Sequence, residues 1–235
     1  MKRYLIPILM LLIISCNNQN DAKKYIVKNI PKADIKLDGI LDEGEWQKAN
    51  LTNHFVFPWE NTKPPKTEFR AFYDTDYFYY SFITEDDEIV IDTVINNDEN
   101  LIEGEDRVEI YLSLDDELKE YYCLEVDVKG RVLSYSSSFH RQFDFSWECP
   151  EIKTGTAIND NGYVVEARIP LSSLEALGFP VREANCMIRA GMFRAQFNRL
   201  SNGEVEWHWL SWIDPNIKEE DFHVHSSFGH LIFEK

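Results

Sequence analysis

The stretch "IKLDGILDEGEW", residues 35–46, decides how the chain begins its fold. It holds four acidic residues, two glycines and a tryptophan within twelve positions. Such a density of carboxylates is compatible with a metal loop, with paired catalytic acids, or with a local device that shapes the backbone. The spacing does not match the calcium loop of an EF-hand, and Asp38-Gly39 is a turn signal after the alternating "DIKL".

A helix start explains most of these residues. With Asp42 as the N-cap, Glu45 falls at N3, from which its carboxylate can reach back to the backbone N–H of Asp42. Leu41 and Trp46 then occupy the positions of a hydrophobic staple, and the helix dipole favours both acids in the first turn. We therefore predict a short helix with Trp46 packed in the core. Metal ligation by Asp38 or Asp42 is the alternative.

The rest of the chain is dominated by strand-like alternation and β-branched or aromatic runs separated by turn signals. The predicted strands are 67–74, 76–84, 107–114, 120–128, 131–138, 162–170, 186–197, 205–212 and 228–233. A second helix is predicted over 171–178, capped by Ser172 or Ser173 and ended by Gly178. The fold class is all-β: an antiparallel β-sandwich of the immunoglobulin-like or jelly-roll-like two-sheet type with two short helices.

The beginning of the chain, "MKRYLIPILMLLIISC", has the form of a signal peptide. Lys2 and Arg3 precede an apolar run over 5–14, which is too short to span a bilayer. "IISC" resembles the lipobox of bacterial lipoproteins, in which the chain is cleaved before the cysteine and its thiol is lipidated. Here that cysteine is Cys16. An ordinary signal peptide that contains a cysteine is the alternative.

These features divide the chain into three parts. Residues 1–15 are predicted to be a signal peptide, 16–30 the lipidated cysteine with a flexible tether, and 31–235 one β-sandwich domain. The expected location is the bacterial cell envelope, with the protein lipid-anchored to a membrane at the periplasmic face or the cell surface.

The charge is strongly acidic. The formal net charge is −17, and loss of Lys2 and Arg3 with the signal peptide makes it −19. Such a surface repels nucleic acid and anionic lipid, so we expect no nucleic-acid partner and membrane contact through the lipid anchor only. Neutral ligands and cations are compatible with it.

Three cysteines follow Cys16, namely Cys123, Cys149 and Cys186. An odd number excludes a complete disulfide framework. We expect three buried thiols, and one bridge between Cys123 and Cys149 is the alternative.

Five motifs, in order, resemble those of family 9 carbohydrate-binding modules. They are "IKLDGILDEGEW" (35–46), "FYDTDYFYYSFITEDD" (72–87), "EDRVEIYLS" (105–113), "GYVVEARIPLSSL" (162–174), and the pair "SWIDP" (211–215) and "FGHLIF" (228–233). The resemblance implies a β-sandwich and a non-catalytic sugar-binding domain, which is calcium-stabilised in some members and is usually appended to a glycoside hydrolase.

The sugar site of that family is only partly kept. Its members grip sugar between two tryptophans. The position of one is Glu103 here, and the nearest aromatic residue to the other is Phe222. The family's ligand-binding arginine corresponds to Glu125, whereas the motif glutamate, Glu109, is kept.

Candidate ligand residues are aromatic side chains that can stack on a sugar and polar side chains that can bind its hydroxyl groups. We predict Trp59, Glu109, Trp147, Arg194, Trp209 and Phe222. Trp207 and Trp209 share one strand face, and Arg194 shares a face with Gln196 and Asn198.

A structural calcium ion is the only cofactor expected, with Asp86, Asp87 and Asp106 as its predicted ligands. Paired carboxylates carry no catalytic signal in a chain with 41 acids, and no G-x-S-x-G elbow is present. We therefore do not predict an enzyme.

The predicted function is that of a membrane-anchored, non-catalytic carbohydrate-binding protein. It would recognise an oligo- or polysaccharide in the envelope of a bacterium that uses polysaccharides, beside other envelope glycan-utilisation proteins. The alternative is a structural or interaction subunit that kept the fold and lost sugar binding.

Overall fold

The computed structural model of the protein describes residues 23–91, 102 and 104–235. Within this part the chain is all-β with two short helices, as predicted. The elements are β1 (Lys24–Asn29), α1 (Gly44–Lys48), β2 (Asn50–Thr52), β3 (Thr67–Tyr73), β4 (Tyr77–Glu85), β5 (Arg107–Ser113), β6 (Tyr121–Asp127), β7 (Val132–Ser138), β8 (Gln142–Asp144), β9 (Lys153–Asn159), β10 (Gly162–Pro170), α2 (Leu171–Ala176), β11 (Met187–Arg199), β12 (Val205–Ser211), a 3₁₀ turn (His225–Ser227) and β13 (Gly229–Phe233).

The strands follow one curled path in the order β8-β7-β6-β5-β11-β13-β1-β3-β4-β10-β9, with β12 on β11 and β2 on β3. We call β2, β3, β4, β9 and β10 the first half, and β5 to β8 with β11 to β13 the second half. β1 joins the halves and is parallel to both its neighbours, β13 and β3. The sheet is therefore mixed, which corrects the prediction of a purely antiparallel sandwich.

The two halves face each other across one core. Phe69 and Tyr80 of the first half lie in the same buried cluster as Ile110 and Met192 of the second. Residues alternate between the faces of a strand, so Arg107, Glu109 and Tyr111 lie on the opposite face of β5 from Ile110. We call this opposite face the outer face of the second half.

The outer face is buried as well. Tyr111, Tyr121 and Phe193 belong to a second buried cluster, which Phe222 and Phe228 cover from the chain segment before β13. Every residue of β5 and of β6 is buried. Polar side chains on this face therefore sit in a desolvated environment, and this burial sets their chemistry.

The opening motif shapes the chain, with one correction to its predicted cap. α1 begins after Glu43 rather than Asp42, and no side chain caps it. Glu43 instead accepts the backbone N–H of Lys36 at 2.9 Å. Because the N-cap is Glu43, Leu41 and Trp46 do not fall at the two staple positions, which corrects that prediction. The predicted packing of Trp46 in the core is confirmed, since it is fully buried, and Leu41 packs against the same cluster.

The turn before this helix is held by a carboxylate from β10. Glu166 Oε2 accepts the backbone N–H groups of Asp38 and Gly39 at 3.0 and 2.6 Å. Gly39 has a φ of +79°, and a Cβ there would collide with the backbone of Ala157, so only glycine fits. Burial raises the pKa of Glu166 to about 7. The motif glutamate of "GYVVEARIP" thus anchors the opening motif to the sheet.

All nine predicted strands are present, with ends shifted by at most two residues. Four strands were not predicted: β1, β2, β8 and β9. β1 lies inside the predicted tether at 16–30, so the prediction of a tether over 24–29 is wrong. Tyr25 and Val27 are buried in the core, where alternation in "KYIVKN" places them.

The second helix is shorter than predicted. α2 covers Leu171–Ala176 and follows Pro170 without a side-chain cap, so neither Ser172 nor Ser173 caps it. Gly178, with a φ of +93°, ends it as predicted. Among the described residues, no helix is both long enough and apolar enough to cross a bilayer.

Cys123, Cys149 and Cys186 are free and buried. The prediction of three buried thiols is confirmed, and the alternative bridge between Cys123 and Cys149 is not formed.

The Glu166 anchor predicts a difference between two substitutions. Glu166→Ala leaves two backbone N–H groups near Asp38 and Gly39 without an acceptor, which should lower the free energy of unfolding by about 2–4 kcal/mol. Glu166→Gln keeps an acceptor oxygen, so its loss should stay within about 1 kcal/mol. Urea unfolding followed by tryptophan fluorescence measures both. Equal losses for the two variants would show that the carboxamide cannot serve as the anchor and would contradict this account.

Candidate functional site: an aromatic cavity with a charged floor

A cavity of about 430 Å³ opens on the outer face of the second half. Three strands supply its floor, because Arg107 and Glu109 of β5, Glu125 of β6 and Tyr135 of β7 all point to this face. Glu109 and Glu125 lie directly opposite each other across the β5–β6 pair, which brings two carboxylates together in a buried setting.

One arginine sits between these two acids. Arg107 Nε lies 2.6 Å from Glu125 Oε2 and 3.0 Å from Glu109 Oε1. The Nε–H is directed at Glu125, with which it forms a hydrogen bond. The guanidinium also lies 5.6 Å above the ring of Trp209. Arg107 therefore ties the acidic floor to an aromatic wall.

Two tyrosines complete the floor. Tyr111 Oη donates to Glu109 Oε2 at 2.8 Å, and Tyr135 Oη donates to Glu125 Oε1 at 2.8 Å. Both oxygens of Glu125 thus accept hydrogen bonds. Glu109 Oε1 is buried without a hydrogen-bond partner in the described part of the chain, although the charge of Arg107 is close to it. This oxygen can accept a hydrogen bond from a ligand.

Burial and the neighbouring charge of Glu125 together raise the pKa of Glu109 to about 7. The same desolvation affects His223 beside the cavity, whose Nδ1 lies 2.9 Å from Tyr121 Oη. Burial lowers the pKa of His223 to about 3, so its ring is neutral at physiological pH.

The walls of the cavity are aromatic. Trp59 donates its Nε1–H to the carbonyl of Ile217 at 3.1 Å, and its ring lies 5.3 Å from that of Phe222. Trp209 meets Phe222 edge to face at 5.6 Å, and Phe193 stacks on Phe222 at 4.2 Å. These contacts hold the wall in place before any ligand arrives.

The mouth of the cavity carries accessible rings and charges. Trp207 and Phe145 line it and are 56% and 48% exposed. Asp221 accepts from Arg141 at 3.0 Å and pairs with His140 at 2.5 Å, which ties the β7–β8 turn to the segment before β13. The mouth therefore offers flat apolar faces within a fixed polar rim.

The cavity brings together four of the six predicted ligand residues: Trp59, Glu109, Trp209 and Phe222. Trp147 lies outside it and packs against Tyr122, with ring centroids 4.8 Å apart. Glu103, one of the family's tryptophan positions, lies outside the described residues.

Arg194 lies on the wrong face for a ligand contact. It is 0% exposed and pairs with Asp86 at 2.8 Å between the two halves. This placement corrects the prediction that Arg194 binds a ligand, since a side chain sealed in the core cannot reach one. Gln196 and Asn198, on the same strand face, line a separate and more open cleft with His208.

Sequence reasoning missed Arg107, Tyr111 and Tyr135 as cavity residues, and it placed Trp207 on the strand face of Trp209 without including it among the six ligand residues. For Arg107 and Tyr111 a signal was available, because alternation in "RVEIYLS" puts both on the face of Glu109. Arg107 supplies a guanidinium beside Glu125, the position at which the family resemblance implies an arginine. The charge is thus present but comes from the neighbouring strand.

The predicted calcium ligands do not form a free set of oxygens. Asp86 is paired with Arg194 and also accepts the N–H of Glu88. Asp106 accepts backbone N–H groups through both its oxygens, and Asp87 is exposed. In the described residues no group of three or more acidic, histidine or cysteine side chains could hold a metal ion. The residues present at this site do not fit calcium, and a calcium ion elsewhere stays a prediction.

The raised pKa of Glu109 predicts a pH dependence of stability. In the folded protein the carboxyl group of Glu109 keeps its proton up to about pH 7. In the unfolded chain a glutamate loses its proton at about pH 4.3. The stability that the neutral form contributes is therefore complete at low pH and is lost as the pH rises through this window, by at most about 4 kcal/mol. Glu109→Gln lacks the group, so its stability relative to the wild type should increase across the window.

Chemical unfolding at a series of pH values measures this difference. Glu148→Gln, at an exposed position, is the matched control and should run parallel to the wild type. If the stability of Glu109→Gln also ran parallel to that of the wild type across this pH range, the raised pKa of Glu109 would be contradicted.

Solved structures share this fold. A presumed carbohydrate-binding protein from Bacteroides uniformis is similar with a TM-score of 0.70 and 16% identity, covering 91% of this chain and 100% of that one. A family 9 carbohydrate-binding module from Caldicellulosiruptor kristjanssonii in complex with glucose is similar with a TM-score of 0.62 and 15% identity, covering 90% of this chain and 96% of that one. For a family 9 module from the same organism in complex with cellotriose, the TM-score is 0.58 and the identity 16%, covering 90% of this chain and 94% of that one. At such identities the likeness shows the fold alone.

Comparison with curated proteins gave no match. A family model does match, and it is described as carbohydrate family 9 binding domain-like and covers residues 37–235. This match confirms the resemblance read from the five motifs. The family binds carbohydrate and is non-catalytic, which confirms the prediction that the protein is not an enzyme. With the match extending from the opening motif to the last residue, the chain belongs to the carbohydrate family 9 binding domain-like family.

Proposed function

We propose that the protein binds an oligosaccharide, or a segment of a polysaccharide, in the aromatic cavity and does no chemistry on it. The observation that carries this proposal is the cavity itself: Trp59, Trp207 and Trp209 line one space above the hydrogen-bonding floor of Glu109. Sugars have flat faces of C–H groups and edges of hydroxyl groups. A site for them needs aromatic planes and a few fixed polar groups.

The tryptophans at the cavity take the place of the two that are lost. Trp207 is the most accessible ring and offers a face for stacking. Trp59 and Trp209 are more buried and are held by Phe222. Within the described part of the chain Glu109 Oε1 is an acceptor without a hydrogen-bond partner, and it suits a sugar hydroxyl. One stacked ring with two or three hydrogen bonds supports roughly micromolar to millimolar affinity.

The interaction-subunit alternative predicts a flat surface without aromatic residues at this place. Three tryptophans around a concave space favour ligand binding instead. The glucose and cellotriose bound by the modules of Caldicellulosiruptor kristjanssonii make β-1,4-linked glucose oligomers reasonable first ligands to try.

Isothermal titration calorimetry tests the cavity. We expect one member of a panel of plant and algal oligosaccharides, cello-oligosaccharides included, to bind the wild type at millimolar affinity or better. Trp207→Ala should weaken that binding about tenfold, or ~1.4 kcal/mol, without loss of stability because the ring is largely exposed. Met187→Ala is the matched control, since Met187 is also 56% exposed and lies outside the cavity lining.

Two outcomes would contradict this proposal. If no glycan of the panel bound the wild type, carbohydrate binding would be rejected. Equal binding by Trp207→Ala would place the ligand elsewhere.

We further propose that the protein works in the bacterial envelope as a lipoprotein, anchored through Cys16 beside other glycan-utilisation proteins. The support is the signal-peptide pattern that ends in "IISC". A lipid anchor would hold a non-catalytic binding domain at the membrane, where it could retain glycan for partner proteins.

Cys16→Ser tests the anchor in a bacterial host that lipidates its lipoproteins. We expect the wild type to enter the detergent phase on Triton X-114 partitioning and the variant to stay in the aqueous phase. Cys186→Ser, which alters a buried thiol of the folded domain, controls for loss of a cysteine in general. Identical partitioning of the wild type and Cys16→Ser would reject the lipobox.

A further inference from the structure

The charges around the cavity do not balance. Its lining contains two arginines, Arg107 and Arg141, and four carboxylates, those of Glu109, Glu125, Glu220 and Asp221. His223 is neutral, as described above, so the described residues of the lining carry a formal charge of −2 when Glu109 is ionised and of −1 when it holds its proton. The whole chain adds to this field, with a net charge of −17. A ligand entering the cavity therefore meets a negative potential.

One carboxylate of this surplus is located at the floor, and the other is at the mouth, where Glu220 and Asp221 outnumber Arg141. Arg107 and Glu125 form the closest ion pair, at 2.6 Å, and Tyr135 supplies the second hydrogen bond to Glu125. Glu109 shares the same guanidinium at the longer distance of 3.0 Å, and its Oε1 has no hydrogen-bond partner among the residues that the structure describes. When Glu109 is ionised, the floor holds two carboxylates and one guanidinium, so one carboxylate is uncompensated. Without a further cation Glu109 takes up a proton instead, which is the reason that its pKa is raised to about 7. Burying such a charge costs free energy unless a cation joins it.

The walls would favour that cation. The face of an aromatic ring attracts positive charge. Two arginines already use ring faces here: Arg107 lies 5.6 Å from Trp209, and Arg141 lies 5.2 Å from Phe143. Trp207 and Phe145 remain largely exposed at the mouth. A small cation above Glu109 would thus lie in a cavity that is lined by acidic side chains and aromatic rings.

From this geometry we propose that the cavity selects sugars that carry a protonated amine over uncharged and acidic sugars of the same size. This inference rests on the proposed function, since it names the class of sugar that the same site takes. A hydroxyl group can satisfy the acceptor oxygen of Glu109 but leaves its charge uncompensated, whereas an ammonium group does both. A carboxylate or sulfate on the sugar would add a further negative charge to a negative lining.

Four ligands on one backbone test the selection. The trimers of glucose, N-acetylglucosamine and glucosamine, all β-1,4-linked, differ only at the second carbon of each ring, which bears a hydroxyl, acetamido or ammonium group. A β-1,4-linked glucuronic acid trimer is the acidic member. Calorimetry at neutral pH and low salt should give the glucosamine trimer at least about tenfold higher affinity than the glucose trimer. The acidic trimer should bind worst, and the preference for the amine should shrink as salt is raised.

A variant locates the cause. Glu109→Gln keeps the shape of the side chain and removes its charge, so the ratio of the glucosamine-trimer affinity to the glucose-trimer affinity should fall towards one. Glu148→Gln removes an exposed acid and should leave that ratio unchanged. The ratio is informative even if Glu109→Gln weakens both ligands.

The outcomes separate the two proposals. Equal or tighter binding of the uncharged trimers by the wild type overturns the amine selection and leaves carbohydrate binding in place. A Glu109→Gln variant with an unchanged ratio also overturns it, because the surplus charge then has no part in selection. Absence of binding by all four trimers, and by the wider glycan panel, rejects carbohydrate binding itself.

Discussion

The parallel pairing of β1 with both β13 and β3 is the constraint on which the rest of the structure depends. Lys24 to Val27 pair with the last strand of the second half, and Lys28 and Asn29 pair with β3 of the first. Six residues thus join the two halves into one sheet, whose inner faces meet across one core. Tyr25 strengthens the join, since its hydroxyl accepts the backbone N–H of Ala71 at 2.7 Å within that core.

Because the inner faces of the two halves form the core, the site forms on the outer face of the second half. Loops carrying Trp59 and Phe222 cover that face and bury its polar residues. Burial then determines their chemistry: the two carboxylates of the floor share one arginine, and the pKa of Glu109 rises to about 7. Affinity for a ligand would come from groups that the fold has already desolvated and fixed, so little reorganisation would be needed on binding.

Much of the fold could be predicted from sequence because a strand with one apolar face shows alternating apolar and polar residues. β1 was missed since "KYIVKN" follows a polar run and is joined mainly by distant strands. The helix start was misplaced by one residue, since Asp42 and Glu43 are both acidic and the sequence does not show that the Glu43 side chain binds the backbone N–H of Lys36 instead of capping the helix. Arg194 shows a deeper limit. Periodicity predicts which residues share a face, but the packing of the other half of the sheet decides whether that face is core or surface.

The position of β1 also bears on where the domain can work. Its first residue, Lys24, is only eight residues after Cys16. An extended chain spans at most about 3.3–3.6 Å per residue, so a lipid on Cys16 would hold the edge of the folded domain within roughly 30 Å of the bilayer surface. At that distance the domain would stay close to the membrane. An anchored protein of this kind would bind only glycan that has already reached the membrane surface, and it would retain that glycan there.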